Sequence, residues 1–107
     1  MQIFYLIPTR QNVGLTSVAL GVVRALQRQG FRVGFAKPVA QEETAHEHSI
    51  HFAREICLIE SPSPVSILQA DERLAAGQES ELLEDIVSLC MRAAEGADVL
   101  VIEGMHT

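Results

Sequence analysis

Apolar and polar positions divide this chain into blocks of two kinds. Ile3, Phe4, Tyr5, Leu6 and Ile7 form an unbroken apolar run ended by Pro8, the pattern of a strand buried on both faces. From Leu15 the apolar residues move to helical spacing at Leu15, Val18, Ala19, Val22, Val23 and Leu26. That spacing predicts a helix from Leu15 to Gln29, with Arg28 in its last turn and Gly30 as its C-terminal cap. Phe31–Ala36 then reads as a second strand, and so short a link implies a right-handed parallel crossover. Pairing should stop at Lys37-Pro38, because proline has no N–H for a sheet ladder.

Beyond a polar loop over Gln41–Thr44, His46–Leu58 is predicted as a helix with Ile50, Ala53, Ile56 and Cys57 inward, broken by Ser61-Pro62-Ser63-Pro64. Val65–Ala76 reads as a short helix ended by Gly77. Ser80 can cap the next helix, which carries Leu82, Leu83, Ile86, Val87, Cys90, Ala93 and Ala94 on one face and stops at Gly96. Asp98–Gly104 is a third strand, with four apolar residues, three of them β-branched, ahead of Glu103.

Strand, glycine-bearing loop and helix is the layout of a phosphate-binding loop, where free amides at the helix start face an anion. Against G-x-x-x-x-G-K-[ST], Gly14 fits the second glycine and Thr16 the hydroxyl, while Thr9 falls at the first glycine and Leu15 at the lysine. Phosphoryl transfer depends on that lysine's charge, so hydrolysis is not expected. Two readings stay open: a cradle for a nucleotide or another phosphate, built on Asn12, Val13, Gly14, Thr16 and Ser17, or a plain strand-to-helix connection. Lys37, the sole lysine, lies at the same edge as this loop and is either a phosphate or carboxylate contact that partly replaces the missing loop lysine, or a solvated loop residue. Glu103 sits at a strand tip, where P-loop proteins hold Mg²⁺, or is an ordinary loop acid. No metal site is expected at His46, His48 and His51, since only the last two share a helix face and no Cys or carboxylate completes a set.

The fold class these elements predict is α/β. Three parallel strands near Gln2–Ile7, Arg32–Ala36 and Val99–Glu103 lie in the order 2-3-1, P-loop NTPase-like, with helices on both faces. Three strands do not complete a doubly wound sheet, and the last strand should lack downstream cover. The 107 residues therefore read as the N-terminal part of a longer domain.

Composition changes this picture little. No apolar run approaches the ~18–20 residues of a membrane span, and no basic segment precedes the first strand as in a signal peptide. Cys57 and Cys90 match no metal spacing and suit reduced thiols of a cytoplasmic protein. The net charge of −6 speaks against a nucleic-acid partner. Yet Met1–Gln41 holds five basic residues and no acid, while the remainder holds three arginines against all fourteen acids. An anion would find its welcome near the N-terminal loop.

The blocks IPTRQNVGLTSVALGVVRAL, GFRVGFAKPVAQ and LLEDIVSLCMRAAEGADVLVIEG, in this order, resemble the N-terminal domain of long bacterial phosphate acetyltransferases. That domain is itself similar to dethiobiotin synthetase and related P-loop amidoligases. The resemblance spans nearly all the chain except Glu42–Ser66. Leucine for lysine in VGLTS is similar to the acetyltransferase domain and unlike active synthetases. It maps Lys37 onto a synthetase substrate or phosphate contact and Glu103-Gly104 onto the synthetase strand end. It implies a regulatory or oligomer-stabilising domain, without acetyl-transfer residues of its own. The parent enzyme would make acetyl phosphate and CoA from acetyl-CoA and phosphate. The implied partners are the parent's C-terminal catalytic domain and further copies of the chain. The rival readings are an ATP-dependent synthetase-like ligase, which Leu15 disfavours, and a docking module with no ligand.

Overall fold

A computed structural model describes residues 1–7, 15–40, 48–55 and 57–104, and for 15–17, 40, 48 and 49 their backbone alone. The elements are β1 (Gln2–Leu6), α1 (Leu15–Arg28), β2 (Val33–Ala36), β3 (Val39–Ala40), α2 (His48–Glu55), β4 (Val65–Ser66), α3 (Ile67–Ala75), α4 (Glu79–Ala94) and β5 (Val99–Glu103). The main sheet is parallel with β5 in the middle, in the order β1-β5-β2. This is the predicted α/β arrangement, with the acid-tipped strand between the other two.

Alternation along the strands sorts the core into two layers. Val33 and Phe35 of β2 and Val101 of β5 face α1 and α2, where they meet Ala19, Val23, Ile50, Ala53 and Cys57. Ala36, Leu100 and Ile102 face the opposite way, onto Leu89 and Ala93 of α4. The period-2 side-chain direction of a strand makes one apolar run serve both layers. Gly34 lets α4 come close: a Cβ there would stand 2.1 Å from the carbonyl oxygen of Ala93. Gly30, Gly77 and Gly96 adopt positive φ just past α1, α3 and α4, the left-handed position that ends a helix without a Cβ clash.

Several expectations need correction. β1 is not buried on both faces: Ile3 is 60% and Tyr5 57% exposed, and no described element covers the edge of β1 away from β5. The strand expected to lack cover, β5, is instead buried throughout, because it is the central one. Val18 points outward, since α1 seats only Ala19 and Val23 fully on the sheet. β2 leaves the main sheet at Ala36, as expected, but a separate ladder follows Pro38. The Pro38 carbonyl accepts from the Val65 N–H at 2.9 Å, and β3 forms a short parallel ladder with β4. Val65 and Ser66 are therefore strand, and Ser66 caps α3 by accepting from the Gln69 N–H at 3.2 Å. Ser80 is not a cap, because α4 starts at Glu79 behind Gln78. On α4 the buried face is Leu82, Leu89 and Ala93, whereas Leu83 and Val87 are exposed.

α2 ends at Glu55, and Cys57 and Leu58 lie beyond it. Leu58 takes φ 57°, a reversal that hydrogen bonds on either side help to hold. Ile59 donates to the Ala53 carbonyl at 3.1 Å, and the Gln27 amide donates to the Cys57 carbonyl at 2.9 Å. Arg54 donates from Nε and Nη2 to the Ser61 carbonyl at 2.9 and 2.6 Å, tying the proline-rich turn back onto α2. Ile56 and His46 lie outside the described residues.

Candidate functional site

The carboxyl ends of the parallel strands form one edge, where a doubly wound fold presents its ligands. Lys37 follows β2 directly and Glu103 closes β5. The register that sets Ala36 against Ile102 makes the two neighbours. Lys37 Nζ lies 2.9 Å from Glu103 Oε2, with the side chains 15% and 3% exposed. The lysine is thus not a solvated loop residue. It is committed to a buried carboxylate, a geometry in which each charge offsets the other's desolvation.

β1 adds the third strand end. The Gly104 N–H donates to the Leu6 carbonyl at 2.8 Å, and a Cβ on Gly104 would stand 2.9 Å from the Tyr5 hydroxyl. Glycine at this position is what allows the Tyr5 ring to rest against the chain leaving β5. In the sequence, the place of Tyr5 at this edge shows only in the alternation that puts Ile3 and Tyr5 on one face of the strand.

α1 begins at Leu15 with no acid in its first turn, so its dipole is not offset there by a side chain of its own. Thr16 and Ser17 lie in that first turn. Asn12, Val13 and Gly14 fall outside the described residues. Of the proposed set, Lys37 and Glu103 are brought together at the strand ends. The expectation of Mg²⁺ at Glu103 meets an ammonium at one carboxylate oxygen. Among the described residues no group of three His, Cys, Asp or Glu could hold a metal ion.

The opposite end of the sheet holds an open groove of about 560 Å³ lined by Arg32, Gly34, Leu58, Glu60, Arg92 and others. It lies away from the strand carboxyl ends and drew no expectation from the sequence. Cys57 and Cys90 are free thiols whose pKa burial raises, for Cys57 against the opposing pull of Arg24. Neither is poised as a nucleophile.

The chain matches the model of a family described as an AAA domain over residues 2–107. It belongs to that family. The match agrees with the P-loop-like order of strands. Over 98% of its length the chain is similar to the phosphate acetyltransferases of Deinococcus radiodurans, at 45% identity, and Pseudomonas putida, at 44%. It is 34% identical to that of Escherichia coli over 97%. The chain spans only about 15% of the length of these curated relatives. No helix among the described residues is long and apolar enough to cross a membrane.

Proposed function

We propose that this AAA domain is a non-catalytic regulatory or oligomer-stabilising part of a cytoplasmic phosphate acetyltransferase, working beside that enzyme's C-terminal catalytic domain in a homo-oligomer. The observation that carries the reading is the near-complete match to a small share of each phosphate acetyltransferase. Leu15 in place of the loop lysine supports the absence of phosphoryl transfer, since nothing at that position carries charge to a transferring group. The same features weigh against an ATP-dependent ligase. Neither the negative balance nor the helices suggest a nucleic-acid or membrane partner.

The ligand of this domain is a nucleotide or another phosphate held over the amides of Asn12–Thr16, with the Lys37–Glu103 pair beside it. Because Lys37 is already paired, the loop amides and the α1 dipole supply most of the attraction. Calorimetric titration of the chain with ATP and with inorganic phosphate tests this. Saturable binding that disappears in Gly14→Asp, with no phosphate released from ATP by either protein, is the expected outcome. A ligand-free docking module, which the closed Lys37–Glu103 pair favours, becomes the better account if a folded chain binds neither.

A further inference from the structure

β2 ends the main sheet on one side, and its hydrogen bonds leave part of that edge unused. The Arg32 carbonyl accepts from the Val99 N–H at 3.2 Å, so the alternate residues Gly34 and Ala36 turn their amides and carbonyls toward β5. The N–H and C=O of Val33 point the opposite way, where no described group pairs with them. The groove of about 560 Å³ opens on that side, since Val33 and Gly34 line it and no residue of β5 does. Across it lie Leu58 and Glu60, which make no backbone hydrogen bond to the described chain. Val33 is only 9% exposed, so little water reaches it, and a main-chain group buried without a partner is costly. Two rails of unused main chain border one slot.

The slot has two unlike sides. α1 and α4 lie on opposite faces of the sheet, and the chain leaving each of them reaches the groove. The α1 side supplies the exposed ring of Phe31. The α4 side supplies Arg92 and Glu95, which no ion pair among the described residues engages. Leu58 stands at the mouth, 83% exposed and at φ 57°, a left-handed conformation that a leucine keeps only where its surroundings hold it. Along a strand laid in the plane of the sheet, successive side chains turn to opposite faces. Here one face offers apolar surface and the other offers charge.

We propose that this slot takes an extended strand, with apolar and charged side chains in alternation and an acid set against Arg92, from the part of a longer acetyltransferase outside the matched region. Its main chain pairs with Val33 on one side and with Leu58 and Glu60 on the other, the strand-addition mode of peptide recognition. A small molecule would fill the volume without offering amides and carbonyls on both sides at the strand repeat of about 3.3 Å per residue. β5 leaves the sheet at the far end, so the strand comes from farther along that polypeptide or from the same region of a neighbouring subunit. The relatives carry the length for it, since the match takes up about 15% of each. The proposal rests on the reading of this domain as a regulatory or oligomer-stabilising part of that enzyme, and it names the surface through which the domain meets the rest. That reading is judged separately, by whether removing the matched region changes the assembly of the Deinococcus radiodurans enzyme.

The test tiles the Deinococcus radiodurans enzyme beyond its matched region into short overlapping peptides and titrates each, fluorescently labelled, with the 107-residue chain. A peptide of alternating apolar and charged residues should bind saturably. On binding, the Val33, Leu58 and Glu60 amides should exchange roughly tenfold more slowly, with the β1 amides unchanged. Arg92→Glu and Leu58→Gly should each weaken that peptide about tenfold with the fold intact, the second because it suits the positive φ while removing the apolar side chain. A folded chain that binds no peptide overturns the proposal, as does binding that leaves those amides unchanged or is indifferent to both variants. Slow exchange at the same amides that sets in with chain concentration alone also overturns it, because a second copy is then the occupant. Should the chain not fold in isolation, exchange is followed on the intact Deinococcus radiodurans enzyme. Slow exchange of the amide aligned with Val33 supports the proposal, and exchange as fast as that of its unpaired loop amides overturns it.

Discussion

Two ion pairs hold the same two strands at opposite ends, and they differ in almost every respect that governs energy. At the carboxyl end, Lys37 and Glu103 meet at 2.9 Å with the side chains 15% and 3% exposed. At the amino end, Arg32 and Asp98 lie 3.5 Å apart with side chains 77% and 43% exposed. The first pair has left water, where opposite charges act on one another with little screening. The second stays in water, where screening and side-chain entropy remove most of the Coulomb gain. What joins the strands at the amino end is backbone. The Arg32 N–H donates to Asp98 Oδ2 at 2.9 Å, and the Arg32 carbonyl accepts from the Asp98 N–H at 2.7 Å. Sequence proximity to a strand end thus says little about what a charge contributes; depth decides it.

Lys37→Met separates the two cases most sharply. It leaves the Glu103 carboxylate buried without its ammonium, and breaking such a pair costs about 3–5 kcal/mol in urea denaturation. Lys37→Met with Glu103→Leu should recover most of that loss, because an apolar pair of similar size needs no desolvation. A single-variant loss below about 1 kcal/mol would place the carboxyl-end pair in the same class as the exposed one.

Gly34→Ala tests whether packing rather than charge secures the amino end. The new methyl meets the Ala93 carbonyl, so α4 must shift, at about 1–3 kcal/mol as for other overpacked sites. An unchanged midpoint of unfolding would show that α4 is not seated on β2 as closely as described.

Arg32→Ala should be the mildest, at about 0.2–1 kcal/mol, since it removes only an exposed guanidinium and spares the backbone bonds. A larger loss would contradict the contrast drawn between the two ends. Its acid partner also leaves a signature in pH. The Arg32 N–H, more than its guanidinium, holds the Asp98 carboxyl below its ordinary value. A carboxyl depressed on folding stabilises the fold above the unfolded pKa, about 3.9, and loses that contribution as pH falls toward the folded value. Stability measured from pH 6 down to pH 2 should therefore drop across this acid window, and Asp98→Asn should flatten the part due to this group.

Much of the fold was legible along the chain because local rules and tertiary packing agree there. The spacing of Ala19 and Val23, the glycines after three helices, and the apolar, mostly β-branched run Val99–Ile102 each demand one kind of element wherever they are placed. The two-residue ladder of Val39–Ala40 with Val65–Ser66 was not legible, since pairs so short carry no periodicity. Ser66 and Ser80 look alike as caps, and only the path of the chain chose Ser66.

The amino-acid sequence by itself determined that this is a parallel α/β unit, that its loop lacks the lysine of a phosphoryl-transfer site, and that Lys37 and Glu103 both end strands. Those properties follow from residue type and spacing. Tertiary structure alone decided that Lys37 spends its charge on Glu103, because register and depth are long-range quantities. It also decided which apolar run is bare. Ile3–Ile7 and Val99–Ile102 are equally hydrophobic in kind, yet β5 has a strand on each side and a helical layer on each face, while β1 stands at the edge. Burial belongs to a strand's neighbours, and a linear sequence does not state who they are.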